Sequence, residues 1–322
     1  MAVYTQVTAE EINAFIAQYD VGEVVSFKGI AEGSENSNYF LQTTEASFIL
    51  TLFEARVNEA DLPFFMGLMD HLNHKDIVCA TPVRDRAGNN LKTLCGRPAA
   101  LITFLNGMAI NKPQPEHCRQ LGGELARMHL AAADFNMSRA NDLSVDGWEK
   151  LVADCADGAD RCAPGLREIL TGEQAFLKDN WPTDLPAGII HADLFPDNVF
   201  FLEGKLSGLI DYYFACNDFL AYDLAVCMNS WCFEADGSFN VTKSTQLLKG
   251  YNDVRPLEAR ELDALPLLCR GAALRFLLTR LYDWLNRVEG ALVQVKDPTE
   301  YLTKLTFHQG VRNASAYGLD IK

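Results

Sequence analysis

Two carboxylates and one amide, placed around a short apolar hairpin, are the residues of this chain best suited to chemistry. The stretch Ile190-His191-Ala192-Asp193-Leu194-Phe195-Pro196-Asp197-Asn198 sets an Asp and an Asn five positions apart, and Leu209-Ile210-Asp211-Tyr212 supplies a second Asp after an apolar run. An Asp can accept the proton of an attacking hydroxyl. An amide oxygen and a further carboxylate are the hard donors that magnesium prefers. Together they suit phosphoryl transfer from a nucleotide to an alcohol. Each piece also has a bland reading: an Asp and an Asn at this offset occur by chance, Asp-Asn beside Pro is common in turns, and Asp211 can simply end a strand. The combination favours the functional reading, with Asp193 as base, His191 as a brace of the loop, and Asn198 and Asp211 as magnesium ligands.

These residues need a scaffold. Ala187–Ile190 reads as a strand entering the motif. Val199–Leu202 and Leu206–Ile210, joined by Glu203-Gly204-Lys205, read as a hairpin that puts Asn198 and Asp211 at its open ends. Upstream, Thr8-Ala9-Glu10-Glu11 is a capping box opening a helix to about Tyr19. Strands are expected at Val24–Ile30, Ser37–Thr43 and Ala46–Phe53, joined by short turns and therefore antiparallel. A helix beginning near Asp61 and strands at Leu91–Leu94 and Pro98–Leu105 follow. The turn Gly29–Asn38, with Gly29, Gly33, Ser34, Asn36 and Asn38, is a candidate phosphate cover, since glycines allow close backbone approach; a plain hairpin turn would look the same. Asn106-Gly107 and the Pro-rich Asn111–Pro115 place a boundary near residue 107. Residues 1–107 are read as a nucleotide-binding lobe of strands plus a helix. Residues 108–322 are read as a mainly helical lobe with the catalytic loop and the substrate site. Helices are expected at Pro115–Ala133, Val145–Ala156, Leu166–Asn180, Tyr222–Cys232, Thr242–Tyr251, Ala259–Arg287 and Thr299–Asn313. His129 is read as a hydrogen-bonded helix histidine before a ligand.

Composition narrows the partners. With 48% hydrophobic and 22% charged residues, the chain can bury a core. A formal net charge of −15 argues against nucleic acid or an anionic membrane surface, but not against ATP, whose charge a local loop and magnesium can offset. Nine scattered cysteines without a C-x-x-C pair read as reduced thiols, which with the absence of a leader pattern or an 18-residue apolar run implies a cytoplasmic protein.

The His191–Asn198 stretch, Ile210-Asp211-Tyr212, Tyr222-Asp223-Leu224-Ala225 and Leu121-Gly122-x-x-Leu125-Ala126-x-x-His129 resemble the aminoglycoside phosphotransferase and choline kinase superfamily over nearly the whole chain. Within it, Phe48–Glu54, Phe104-Leu105-Asn106-Gly107 and Ala272–Asp283 resemble the homoserine kinase subgroup of bacterial threonine biosynthesis. The resemblance implies an α+β, bilobal protein-kinase-like fold, with a small antiparallel-sheet lobe carrying a helix and a larger helical lobe. It implies ATP with Mg2+, and L-homoserine as acceptor, phosphorylated by direct in-line transfer. It also implies Asp223 as a buried brace of the catalytic loop, and the backbone near Thr103, Phe104 and Leu105 as the adenine hinge. One departure stands out: where kinase-like folds carry a phosphate-binding Lys or Arg on the third strand, this chain has Thr51. Lys28 and Arg56 are candidate replacements.

Homoserine carries a carboxylate, an ammonium and a hydroxyl. The carboxylate calls for an Arg fork, and Arg275 and Arg280 stand among apolar residues of one expected helix; pairing to Asp283 or Glu261 is an equal alternative. For the ammonium, Asp197, Asp283 and the rings of Tyr212 and Trp231 remain open. The rival acceptors are choline, ethanolamine, an aminoglycoside or methylthioribose. A nucleotide-binding pseudokinase is the rival of another class.

Overall fold

The computed structural model describes residues 5–30, 36–54, 57–287 and 296–319. The described residues form two compact units. One comprises 5–107 and 207–213; the other comprises 108–206, 214–287 and 296–319.

The first unit is a five-stranded antiparallel sheet with two helices. Helix α1 (Ala9–Ile16) starts at the expected capping box: the Glu11 carboxylate accepts from Thr8 N at 2.8 Å, and Thr8 Oγ1 accepts from Glu11 N at 3.3 Å. Strands β1 (Val24–Gly29), β2 (Ser37–Thr43) and β3 (Ser47–Leu52) follow, then α2 (Leu62–His74), β4 (Lys92–Leu94) and β5 (Arg97–Thr103), in the sheet order β1-β2-β3-β5-β4. Strand alternation sends Tyr39, Leu41, Leu50, Leu52 and Leu101 into one core with Ile12, Phe15, Ile16 and Tyr19 of α1. The register pairs Asn38 with Thr51 and Lys28 with Phe40, so these four lie off that core face. A 3₁₀ turn at Glu59–Asp61 precedes α2, which starts with Pro63 in its first turn, where a missing N–H costs nothing. Segment 207–213 is laced to this unit. Leu209 N donates to Val78 O at 3.0 Å, Ala80 N to Leu209 O at 3.3 Å, and Ser207 Oγ to Asn106 O at 2.8 Å.

The second unit is mainly helical. It holds β6 (Met108–Ala109), α3 (Pro115–Ala131), α4 (Val145–Cys162), α5 (Leu166–Asn180), β7 (Ala187–Ile190), β8 (Val199–Leu202), the start of β9 (Lys205–Leu209), β10 (Cys216–Phe219), α6 (Leu220–Trp231), α7 (Val241–Asn252), α8 (Ala259–Leu285) and α9 (Thr299–Gln309). Two short strands add to the expected set. β10 pairs antiparallel with β7, Cys216 opposite Ile190, and β6 pairs with β8. Helix α4 runs six residues past its expected end at Ala156, to Cys162, with Cys155, Gly158 and Ala159 buried. Helix α9 stops at Gln309, before the expected Asn313, where Gly310 caps it. Helices α3 and α7 meet at backbone distance: a Cβ on Gly122 would sit 2.0 Å from Leu247 O, and one on Gly250 2.0 Å from Arg119 O. All nine cysteines are free thiols. Among the described residues no helix is long and apolar enough to cross a membrane.

Candidate active site

The loop from His191 to Asn198 leaves β7 and is fixed by side chains of α6 and α8. Asp223, in the first turn of α6, is fully buried and accepts from His191 N at 2.7 Å and from Ala192 N at 2.9 Å. The same carboxylate lies 3.1 Å from His129 Nε2, whose Nδ1 lies 2.8 Å from the Tyr251 hydroxyl. A carboxylate only accepts, so Nε2 carries the proton and Nδ1 accepts from Tyr251 if the ring is neutral. Burial pushes the Asp223 carboxyl up, but the His129 bond and charge, with the His191 contacts, outweigh it and hold the group below its ordinary value.

Two further anchors act on loop carbonyls. Arg275 of α8 donates from Nη1 to Ala192 O at 2.7 Å, and Trp231 of α6 donates from Nε1 to Leu194 O at 2.9 Å. Ala192 has a φ of 63°, the left-handed region that costs a non-glycine residue about 1 kcal/mol or more. It is held there from both sides, its N–H by Asp223 and its C=O by Arg275. The next residue is Asp193. Its N–H donates to His191 Nδ1 at 3.3 Å, so His191 braces the turn. Asn198, in a 3₁₀ turn at Pro196–Asn198, donates from Nδ2 to Asp193 O at 2.8 Å and to Asp193 Oδ2 at 3.2 Å. That fixes the amide's orientation and leaves its Oδ1 as the acceptor.

Asp211 belongs to the first unit, after the β9 residues bonded to Val78 and Ala80, and also has a positive φ, 65°. Thr51, of the same unit, donates to Asn38 Oδ1 at 2.8 Å. Tyr213 is half-buried there, its ring packed on Phe53 and Phe65 with ring centres at 5.1 and 5.8 Å; its hydroxyl is pushed up by desolvation and then by the Asp211 charge, with Thr51 opposing. Asn36 is buried and accepts from Glu54 N at 3.3 Å. Gly29 ends β1 opposite Tyr39. Thr103 closes β5, with its Oγ1 accepting from Thr81 N at 2.9 Å; Phe104 and Leu105 lie past the last ladder pair, Phe48 with Thr103. Gly33, Ser34 and Arg56 lie outside the described residues.

The substrate candidates separate. Arg275 is 1% exposed and engaged with Ala192, neither paired to Glu261 nor open to solvent; Glu261 instead pairs with Arg255 at 3.0 Å. Arg280 pairs with Glu300. Asp197 is exposed and lies 3.7 Å from Lys296. Tyr212 is fully buried in the first unit and Trp231 in the second, so neither ring stands open to an ammonium. Sequence reasoning missed the part Trp231 and Arg275 play in holding the loop. Their only signal was a polar group among apolar residues, which must find a partner.

The model of a family described as "Phosphotransferase enzyme family" matches residues 26–257. The chain belongs to this family. Its curated relatives in the phosphotransferase family include the homoserine kinases of Parvibaculum lavamentivorans, 58% identical over 99% of this chain and 100% of the relative, and of Xanthobacter autotrophicus, 61% identical over 99% of each. Solved structures with the same fold include an amicoumacin kinase (TM-score 0.72, 13% identity, 95% of each chain), a microcompartment-associated aminopropanol kinase (0.72, 17%, 98% of this chain and 100% of that one) and the choline kinase of Cryptosporidium parvum (0.67, 13%, 94% of each). The fold is the bilobal, protein-kinase-like one of these phosphotransferases.

Proposed function

We propose that this chain transfers the γ-phosphoryl group of ATP to the hydroxyl of L-homoserine, giving O-phospho-L-homoserine for threonine biosynthesis. The observation that carries the reading is the near-full-length likeness to proteins named homoserine kinase, 58 and 61% identical, in a chain that belongs to the phosphotransferase family.

Asp193 orients the acceptor hydroxyl and takes its proton as the bond to phosphorus forms. Its position is set by Ala192, locked in the left-handed region by Asp223 and Arg275. Asn198 Oδ1 and the Asp211 carboxylate would hold magnesium, which supplies charge compensation at the phosphates. The donors fit: Asn198 has Nδ2 committed and Oδ1 left as acceptor. Magnesium takes one or two protein oxygens and completes its shell with phosphates and water. Gly29, Asn38, Thr51 and the backbone of Thr103–Leu105 in the first unit are assigned to the nucleotide, with Lys28, exposed on β1, as the cation that stands in for the missing one at Thr51. The second unit is assigned to the acceptor.

The test is ADP release by purified protein with ATP and magnesium, offered homoserine, choline, ethanolamine, an aminoglycoside or methylthioribose. Homoserine is expected to be turned over, and Asp193→Asn to lower kcat by about 10³-fold with the fold intact. Turnover of choline without homoserine would sink the substrate assignment. ATP binding without turnover of any acceptor would point to a pseudokinase, and full activity in Asp193→Asn would remove the base.

A further inference from the structure

The acceptor proposed above is an amino acid, and the chain's formal charge is −15. The surface as a whole repels a carboxylate, so the ligand needs local cations, best an Arg with an open planar edge. Around the catalytic loop, the second unit offers Arg275, Arg280, Lys296 and Lys304. Arg275 is enclosed and spends Nη1 on Ala192 O. Lys296 is open to solvent and faces Asp197. Arg280 differs from both. Its side chain is 11% exposed, and only Nη1 is engaged, with Glu300 Oε2 at 2.5 Å and Asp297 O at 3.3 Å. Its Nε and Nη2, which form the bidentate edge of the guanidinium, have no partner among the described residues. Lys304, also largely enclosed, donates to Glu300 Oε1 at 2.5 Å, so two cations share one carboxylate and a positive charge is left over.

Tyr301 connects this cluster to the loop. The Arg280 guanidinium carbon lies 4.4 Å, and Lys304 Nζ 4.3 Å, from the centre of its ring. The ring lies 5.3 Å from Phe276, which lies 4.9 Å from Phe195 of the catalytic loop. The Tyr301 hydroxyl is fully buried without a hydrogen-bond partner, and it feels the charges of Arg280, Glu300 and Asp193. A buried hydroxyl left unpaired is costly and rare, and a ligand oxygen would satisfy it.

We propose that the Nε–Nη2 edge of Arg280, together with the Tyr301 hydroxyl, receives the α-carboxylate of the acceptor, with Glu300 and Lys304 holding Arg280 in place. This rests on the reading that the acceptor is homoserine. It makes the Arg280 cluster the element that separates an amino acid from an amino alcohol.

The test compares homoserine with 3-aminopropan-1-ol, which is homoserine without its carboxylate, using the full chain with ATP and magnesium. The parent is expected to prefer homoserine. Arg280→Gln keeps the stem over Tyr301 but removes the charged fork, and the ratio of kcat/KM for homoserine to that for the amino alcohol should fall about 100-fold. The loss should appear mainly in the KM for homoserine. Tyr301→Phe removes only the hydroxyl and should lower the ratio about 5- to 10-fold; it carries the test alone if Arg280→Gln fails to fold. Arg280→Lys should restore part of the ratio, less than fully because an ammonium lacks the fork. An unchanged ratio, or equal losses on both acceptors, would overturn the subsite while leaving the homoserine reading in place. A shift produced by Arg275→Lys with none from Arg280→Gln would overturn it too. A parent that does not turn over homoserine would sink the function instead.

Discussion

Replacing Asp223 by Asn tests the loop's construction with a change of one atom. The carboxylate accepts from two backbone N–H groups and from His129. An amide offers one acceptor oxygen. Whichever way the new side chain turns, its NH2 faces either the His191 or the Ala192 N–H. His129 can adapt by moving its proton to Nδ1, but a backbone N–H cannot. One buried donor is therefore orphaned, at about 1–3 kcal/mol, and the surviving bonds lose their charge assistance, at about 1 kcal/mol more. The expected loss is about 2–4 kcal/mol, against a total stability on the order of 5–15 kcal/mol. Releasing Ala192 also displaces Asp193, and a misplacement near 1 Å costs roughly 100-fold in kcat, with little change in the KM for ATP. Urea unfolding and ADP release read the two effects. The pH dependence adds a check. The folded Asp223 carboxyl lies below its ordinary 3.8, so its contribution is complete above that value and is lost only as pH falls through the depressed folded value. The stability gap between parent and variant should hold from about pH 8 to about pH 5 and narrow below about pH 4. A gap under about 1 kcal/mol with kcat within threefold of the parent would refute the account of the loop as held by this carboxylate.

Three other outcomes follow from the geometry. Gly122→Ala drives a Cβ into the backbone of α7, 2.0 Å from Leu247 O, and should cost about 3 kcal/mol or more in unfolding free energy. His308 is buried neutral, its pKa lowered to about 3 by burial and then by the charges of Lys304 and Arg270. The unfolded chain binds that proton first, so stability should be full above about pH 6.5 and fall by up to about 1.4 kcal/mol per pH unit on acidification towards the folded value. Denaturation of the parent should show this slope, and His308→Gln should flatten it. Trp231→Phe removes the donor to Leu194 O and should cost about 1 kcal/mol in urea unfolding and lower kcat about 5- to 10-fold.

The fold class was legible because its cues are local. The Thr8–Glu11 capping box, the short turns between β1, β2 and β3, and the helical periodicity after residue 115 each announce an element from its own residues. Strand β10 escaped because Cys216–Phe219 is four residues long and owes its existence to β7. The nearness of Asn198 to Asp193 could be read from their spacing, since one turn of chain brings them together. Arg275 was harder. The sequence shows a charge among apolar residues and so promises a partner, but the partner is the carbonyl of Ala192, and a backbone carbonyl has no letter of its own. The acidic residues that the sequence offers it are Glu261 and Asp283, and Glu261 is taken by Arg255. Thr51 is a similar case: its partner Asn38 emerges only once the β2–β3 register is known. The buried, unpaired hydroxyl of Tyr301 has no sequence signature, because burial is a property of the assembled helices.

The loop's anchorage also gives it a measurable clock. The amides of His191 and Ala192 point into a carboxylate that water does not reach, so deuterium can enter them only when α6 and the loop separate. Their exchange rates therefore report the openings of the His191–Asn198 loop in the resting protein. A variant that slows those two amides would have tightened the loop from α6, even if nothing near Asp193 had been touched.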